Sequence, residues 1–226
     1  MSRHLAEVVF ILDRSGSMTG LEEDTIGGYN AAVERQKQTE GEVKVTTVLF
    51  DDRIERLYDR VPLGCVVPMT EKEYYVRGCT ALLDAVGQTI SYLVEVQKHA
   101  LPEDRAEKVI FLITTDGYEN ASREYTYRQI RKMIEEETKE YGWEFIFVGA
   151  NMDAVKAAAE MGIRSDRAVN YVPDSIGTQK TYQAMAEAAA AYRCCDDIAP
   201  DWKADLEADY RKRGSKGDIR HRQNVR

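Results

Sequence analysis

The chain has 226 residues, 43% of them hydrophobic and 31% charged, with 39 acidic side chains against 31 Lys and Arg and a net charge of −8. That length can bury a full core, and that composition excludes a disordered chain. An acidic balance with pI near 5.1 excludes nucleic-acid binding by bulk attraction.

Val8-Val9-Phe10-Ile11-Leu12 is an unbroken apolar run ending at Asp13, with Ser15 and Ser17 following at alternate positions. Lacking polar alternation, the run predicts a strand buried on both faces. Gly20 to Gln38 carries Leu21, Ile26, Tyr29, Ala32 and Val33 at helical spacing, and Gly41 follows it. Val43 to Phe50 is β-branched and predicts a second strand. The short Asp51-Asp52 turn into the alternating Arg53 to Tyr58 predicts an antiparallel hairpin with a half-exposed edge strand. A loop containing Pro62, Gly64 and Pro68 leads to Gly78-Cys79-Thr80, and Ala81 to about Ala100 reads as a helix with Leu82, Leu83, Val86, Ile90, Leu93 and Val94 on one face.

Lys108 to Thr115 repeats the first pattern: an apolar run delivering an acidic residue, Asp116, before a glycine. Helices are expected from about Tyr125 to Tyr141, from Met152 to Met161 and from Gln179 to Arg193, with strands at 143–150 and 167–172. Alternating strands and helices around buried runs predict a three-layer α/β fold: a mainly parallel sheet with one antiparallel edge strand and helices on both faces. In such sheets, sites lie at the carboxyl ends of the strands near the reversal of strand order, where Asp13 and Asp116 both fall.

The composition then divides the chain into a domain, 1–195, and a C-terminal extension, 196–226. A short helix is expected at 201–212. From Arg211 onward, seven basic residues against Asp218 alone give +6 and leave −14 for the rest; the last dozen residues are expected to be mobile. The first seven residues have no apolar h-region and no stretch approaches membrane-spanning length, so a cytoplasmic protein without a secretory signal is expected. Cys65, Cys79, Cys194 and Cys195 show no framework spacing and read as reduced thiols. Cys79 is expected to be a small buried residue and Cys194-Cys195 at most half of a zinc site; Gly149-Ala150-Asn151 after a strand resembles a ligand-binding turn, with a helix-capping Asn151 the commoner explanation. His4, His99 and His221 read as exposed residues without a special role.

Taken singly, the polar residues at the strand ends have ordinary explanations. Ser15, Ser17 or Thr80 could cap a helix, and Asp116-Gly117 could be a turn. An EF-hand loop is excluded, because Met18 stands where such a loop needs glycine and a strand precedes it. Taken jointly, Asp13-Arg14-Ser15-Gly16-Ser17-Met18, Gly78-Cys79-Thr80 and Thr115-Asp116-Gly117 resemble, in order, the three parts of the metal-ion-dependent adhesion site of the von Willebrand factor A family. The resemblance spans about residues 6 to 193. It implies a Rossmann-like fold and a metal held directly by Ser15 and Ser17, with Thr80 joining and Asp13 and Asp116 acting largely through water. It implies Mg²⁺, although Mn²⁺ and Ca²⁺ also take oxygen ligands. It further implies a non-enzymatic protein-binding domain whose partner supplies a carboxylate to the metal. Two other readings stand beside it. One is a Mg²⁺-dependent phosphohydrolase with Asp13 as nucleophile, although Ser15 stands where such enzymes carry a second acid. The other takes the basic tail as a nucleic-acid-binding arm.

Overall fold

Each long apolar run becomes a strand whose two faces are both covered. The computed structural model describes residues 5–195 and 197–221, with 215–221 as backbone alone. The strands are β1 (Leu5–Asp13), β2 (Glu42–Phe50), β3 (Ile54–Pro62), β4 (Lys108–Asp116), β5 (Glu144–Ala150) and β6 (Ala168–Asn170). The helices are α1 (Glu22–Lys37), α2 (Leu82–His99), α3 (Tyr127–Tyr141), α4 (Ala154–Glu160), α5 (Ser175–Cys195) and α6 (Ala204–His221).

The six strands form one sheet in the order β3-β2-β1-β4-β5-β6. All neighbours run parallel except β3, which returns antiparallel to β2 at the edge. Every residue of β1 is buried, whereas β3 is half-exposed along its length, as the difference between a continuous and an alternating pattern requires. Val8, Phe10 and Leu12 face a core shared with α1 and α5; Val9 and Ile11 face one shared with α2, α3 and α4. Side-chain alternation along β1 thus feeds two cores, one on each face of the sheet.

The expected elements form, with shifted ends. The last strand shortens to three residues, paired to β5 alone. α4 starts at Ala154, because Asp153 and not Asn151 accepts the Lys156 N–H as its cap. α5 starts at Ser175, four residues earlier than expected, where Asp174 accepts the Gly177 N–H. α3 starts at Tyr127 behind a reciprocal Thr126–Gln129 capping box.

The helix expected at 201–212 is α6, and it is longer than expected. Ile198 and Leu206 enter the α1–α5 core. The Trp202 indole donates to the Asp166 carbonyl at 2.8 Å, and Lys203 Nζ donates to the carbonyls of Ser165 and Ala168. Residues 197–214 therefore lie along the β6 side of the sheet. The end of the basic tail, His4 and the side chain of His221 fall outside the described residues.

Strand order reverses between β1 and β4, which grow in opposite directions from the middle of the sheet. Leu12 is in register with Thr114, so Asp13 and Asp116 leave adjacent strands at the same edge. That crevice is where a doubly wound sheet places its ligands.

Candidate metal centre

Past Asp13 the chain turns at once: its carboxylate Oδ1 accepts the Ser15 N–H at 2.7 Å. Gly16–Met18 then form a single 3₁₀ turn before α1. Ser15 precedes that turn without a side-chain capping bond, and α1 begins after Leu21 without one either. Neither serine is spent as a helix cap. Thr80 is not a cap either, because α2 begins after Ala81. The N-terminus of α2 is satisfied from elsewhere, by Glu119 accepting the Leu83 N–H and Ser122 Oγ accepting the Asp84 N–H.

The three hydroxyls meet one another instead. Ser15 Oγ lies 3.0 Å from Ser17 Oγ, and Thr80 Oγ1 donates to Ser15 Oγ at 3.0 Å across 65 residues of sequence. A hydroxyl has one hydrogen and two acceptor lone pairs, so a chain of three leaves acceptor capacity over. Ser15 and Thr80 are buried and Ser17 is exposed, so the cluster opens to solvent on one side.

The carboxylates stand around it. Asp13 is fully buried; its Oδ2 accepts the Thr115 hydroxyl at 2.7 Å and the Asp116 N–H at 3.3 Å. Burial raises its carboxyl above the ordinary value, against the pull of those bonds and those from Ser15. Burial also pushes the Asp116 carboxyl up to about 6; the Asn151 bond opposes the shift and the nearby Asp13 adds to it. Two carboxyls are thus held in an environment that penalises their charge, which a cation would relieve.

The loops are pinned to each other. Tyr74 donates to the Asp13 carbonyl at 2.5 Å, the Arg77 N–H to the Arg14 carbonyl, and the Gly16 N–H to the Gly78 carbonyl. Gly78 has φ +68°, and a Cβ there would lie 2.1 Å from Asp52 Oδ1, so the position requires glycine. Asn120 holds Thr80 from both sides: its side-chain oxygen accepts the Thr80 N–H and its own N–H donates to the Thr80 carbonyl. Beneath this, Arg14 and Arg77 each donate to Asp51 Oδ2, at 2.9 and 2.7 Å. Burial pushes the Asp51 carboxyl up, but the bonds from Arg77, the Arg53 N–H and Arg14 outweigh it and hold it below its ordinary value.

All five residues singled out from the sequence, Asp13, Ser15, Ser17, Thr80 and Asp116, therefore converge on one edge. Two expectations are corrected. Asn151 is not a cap: it takes a left-handed conformation (φ +53°) and its Nδ2 donates to Asp116 Oδ1 at 2.5 Å. Its position after β5, the strand beside β4, carries it there; the Gly149-Ala150-Asn151 turn after a strand is the local signal, but it does not name Asp116 as the partner. Cys79 is exposed, not buried, because it sits at the tip of the pinned loop. His99 is exposed and bonds only within its own helical turn and to Glu95, as expected.

The donor set is a set of hard oxygens. Among the described residues, no group of three or more His, Cys, Asp or Glu is placed to hold a metal ion, so Cys194-Cys195 gains no partners for a zinc site. Hydroxyls with spare lone pairs, backed by two buried carboxyls and open to water on one side, fit a small hard cation that keeps part of its hydration.

Compared with known proteins, the sequence matches no family model and no curated protein. Solved structures do match. The PilB minor pilin from Streptococcus sanguinis aligns over 83% of this chain and 62% of its own, with 12% identity and a TM-score of 0.56. Proximal thread matrix protein 1 from the mussel byssus, solved with a zinc-occupied MIDAS motif, aligns over 82% and 46% with 16% identity and a TM-score of 0.53. A von Willebrand factor type A protein from Catenulispora acidiphila aligns over 82% and 42%, with 13% identity and a TM-score of 0.53. This chain spans about half the length of the solved chains that it matches. Identities this low speak for architecture alone, and on that ground the chain has the von Willebrand factor A fold.

Proposed function

We propose that this chain is a non-enzymatic, Mg²⁺-dependent protein-binding domain that docks an acidic residue of a partner at the Ser15–Ser17–Thr80 cluster. The observation that carries the reading is the meeting of three hydroxyls from two distant loops, none of them used as a helix cap. Ser15, Ser17 and Thr80 would face the ion, and Asp13 and Asp116 would hold its waters. Neutral ligands leave the ion's charge under-compensated, so that when bound it supplies a position where a partner carboxylate replaces water. Asn120 would fix Thr80, and Asn151 would aim Asp116. Support for a divalent metal also comes from the mussel protein, whose MIDAS motif holds zinc.

A hydrolytic role for Asp13 is less favoured. Its side chain is fully buried and both its oxygens already accept bonds from the protein, so it presents no open face to a substrate carbon or phosphorus, although a lone pair remains to accept from a metal-bound water. Four free, exposed cysteines fit a reducing, cytoplasmic setting. Among the described residues no helix is long and apolar enough to cross a membrane.

The test is a pull-down from the source cell extract with Mg²⁺ or EDTA, using wild type and Asp116→Ala. A partner captured only by wild type with Mg²⁺ supports the reading. A partner held equally in EDTA contradicts it.

A further inference from the structure

Beside the hydroxyl cluster runs a groove of about 810 Å³. Cys79 and Ala81, on either side of Thr80, are part of its lining, so it adjoins the candidate metal centre. Three segments line it: the β2–β3 turn with Arg53, where the Asp51 carbonyl accepts the Ala81 N–H; the start of α2 with Asp84 and Gln88; and the loop after β4 with Arg123, whose N–H donates to Asp84. Its volume lies within the roughly 300–1,000 Å³ of ligand clefts.

The acidic and basic side chains of this groove are in different states. Both oxygens of Asp84 are consumed by backbone N–H groups of Arg123, Glu124 and Tyr125 at 2.7–2.9 Å. Glu124 accepts from Gln88 Nε2 at 2.8 Å. The Asp52 carboxylate lies against Gly78, on the loop that carries Thr80. Arg53 and Arg123, by contrast, are tied in through backbone groups alone, and among the described residues neither guanidinium has a hydrogen bond or ion pair. Both are exposed, one carried by the β2–β3 turn and the other by the loop after β4. An Arg fork without a partner is a carboxylate receptor.

Resting on the metal-dependent reading above, we infer that the partner segment is di-acidic: one carboxylate docks at the metal centre, and a second, a few residues along the same chain, is held in the adjoining groove between Arg53 and Arg123. The groove thereby selects an acidic peptide stretch over an isolated Asp or Glu, and a Lys at the second position is rejected by like charge.

The test uses the full chain in Mg²⁺ buffer at low ionic strength and three series of fluorescein-labelled Gly/Ser peptides. One has a single Glu, one has a second Glu two to five residues on, and one has Lys at that second position. Anisotropy is expected to show the best-spaced di-acidic peptide binding roughly fivefold tighter than the single-Glu peptide. The Lys peptide should bind more weakly than either. The advantage should disappear in the Arg53→Gln, Arg123→Gln double variant, which keeps its single-Glu affinity. Both side chains are exposed and unbonded, so that variant retains the fold. No gain at any spacing, or a gain that survives loss of both arginines, overturns the groove while leaving the metal reading intact. Single-Glu binding that ignores EDTA overturns the metal reading, and this inference with it.

Discussion

The two ends of the central strands handle buried polar groups in opposite ways. At the amino end, Glu7 is buried in β1 and is matched by Thr46 and Arg60, each at 2.8 Å. Nearby, Lys108 donates to the carbonyls of Tyr192 and Arg193, and Arg193 to Gln36 and the carbonyls of Thr39 and Glu40. Charge there meets opposite charge or carbonyl, and nothing invites a ligand. At the carboxyl end, hydroxyl meets hydroxyl, and the Asp13 carboxyl sits close enough to raise the proton affinity of Asp116. Among the described residues no cation pairs with Asp13 or Asp116; Arg14 and Arg77, on the neighbouring loops, are spent on Asp51. Buried polarity that is complete within the chain holds the fold together. Buried polarity that lacks a cation marks where one is to come from outside.

That contrast can be broken from either end. The largest effect is expected at the amino end: Glu7→Ala leaves Arg60 without its buried partner and should cost about 3 kcal/mol of stability in urea unfolding. Mg²⁺ affinity of the folded variant should be unchanged. At the carboxyl end the pattern inverts. Asp13→Asn should weaken Mg²⁺ binding roughly ten- to hundredfold in calorimetry, as removal of a group that orients metal ligands does. An equal loss in both variants would erase the distinction between the two ends.

Protonation sharpens it further. Asp116 is pushed from 3.8 to about 6, so the folded protein binds this proton more tightly than the unfolded chain. Its stabilising contribution is full below the unfolded value and is lost as pH rises through about 6, leaving the metal-free protein less stable at neutral pH. Mg²⁺ must displace that proton, so its affinity should rise through the same range and level off above it. Asn151→Gly, which keeps the left-handed turn but removes the bond, should move that midpoint upward. A midpoint that stays at the wild-type value would remove Asn151 from the account. The smallest effect belongs to a site at neither end: loss of the exposed Lys132–Glu136 pair on α3 should change stability by about 0.3 kcal/mol.

How much of this could be read from residues alone follows from where each signal lives. β1 and β4 were legible because a run buried on both faces has no polar positions, and the β2–β3 hairpin because its turn is short and its second strand alternates. Asp13, Ser15, Ser17, Thr80 and Asp116 were legible as a pattern of three motifs. Asn120 and Tyr74 were not, nor was the partner of Asn151, since each acts on a residue at least 35 positions away, through strand order or loop packing. Cys79 was misjudged because residue type alone favours burial, whereas the pinned loop puts it at a tip. The early start of α5 and the short β6 depend on Asp174 and on α6 covering that side of the sheet, which no local periodicity encodes.

The central claim is that three hydroxyls from two loops form one cation site. Calorimetric titration of Mg²⁺ into wild type, Ser15→Ala and Thr80→Val tests it most directly, with urea unfolding of the same samples as the check on folding. The account predicts one Mg²⁺ per wild-type chain and a ten- to hundredfold loss, or more, in each folded variant. Binding that survives both substitutions at wild-type strength would contradict it.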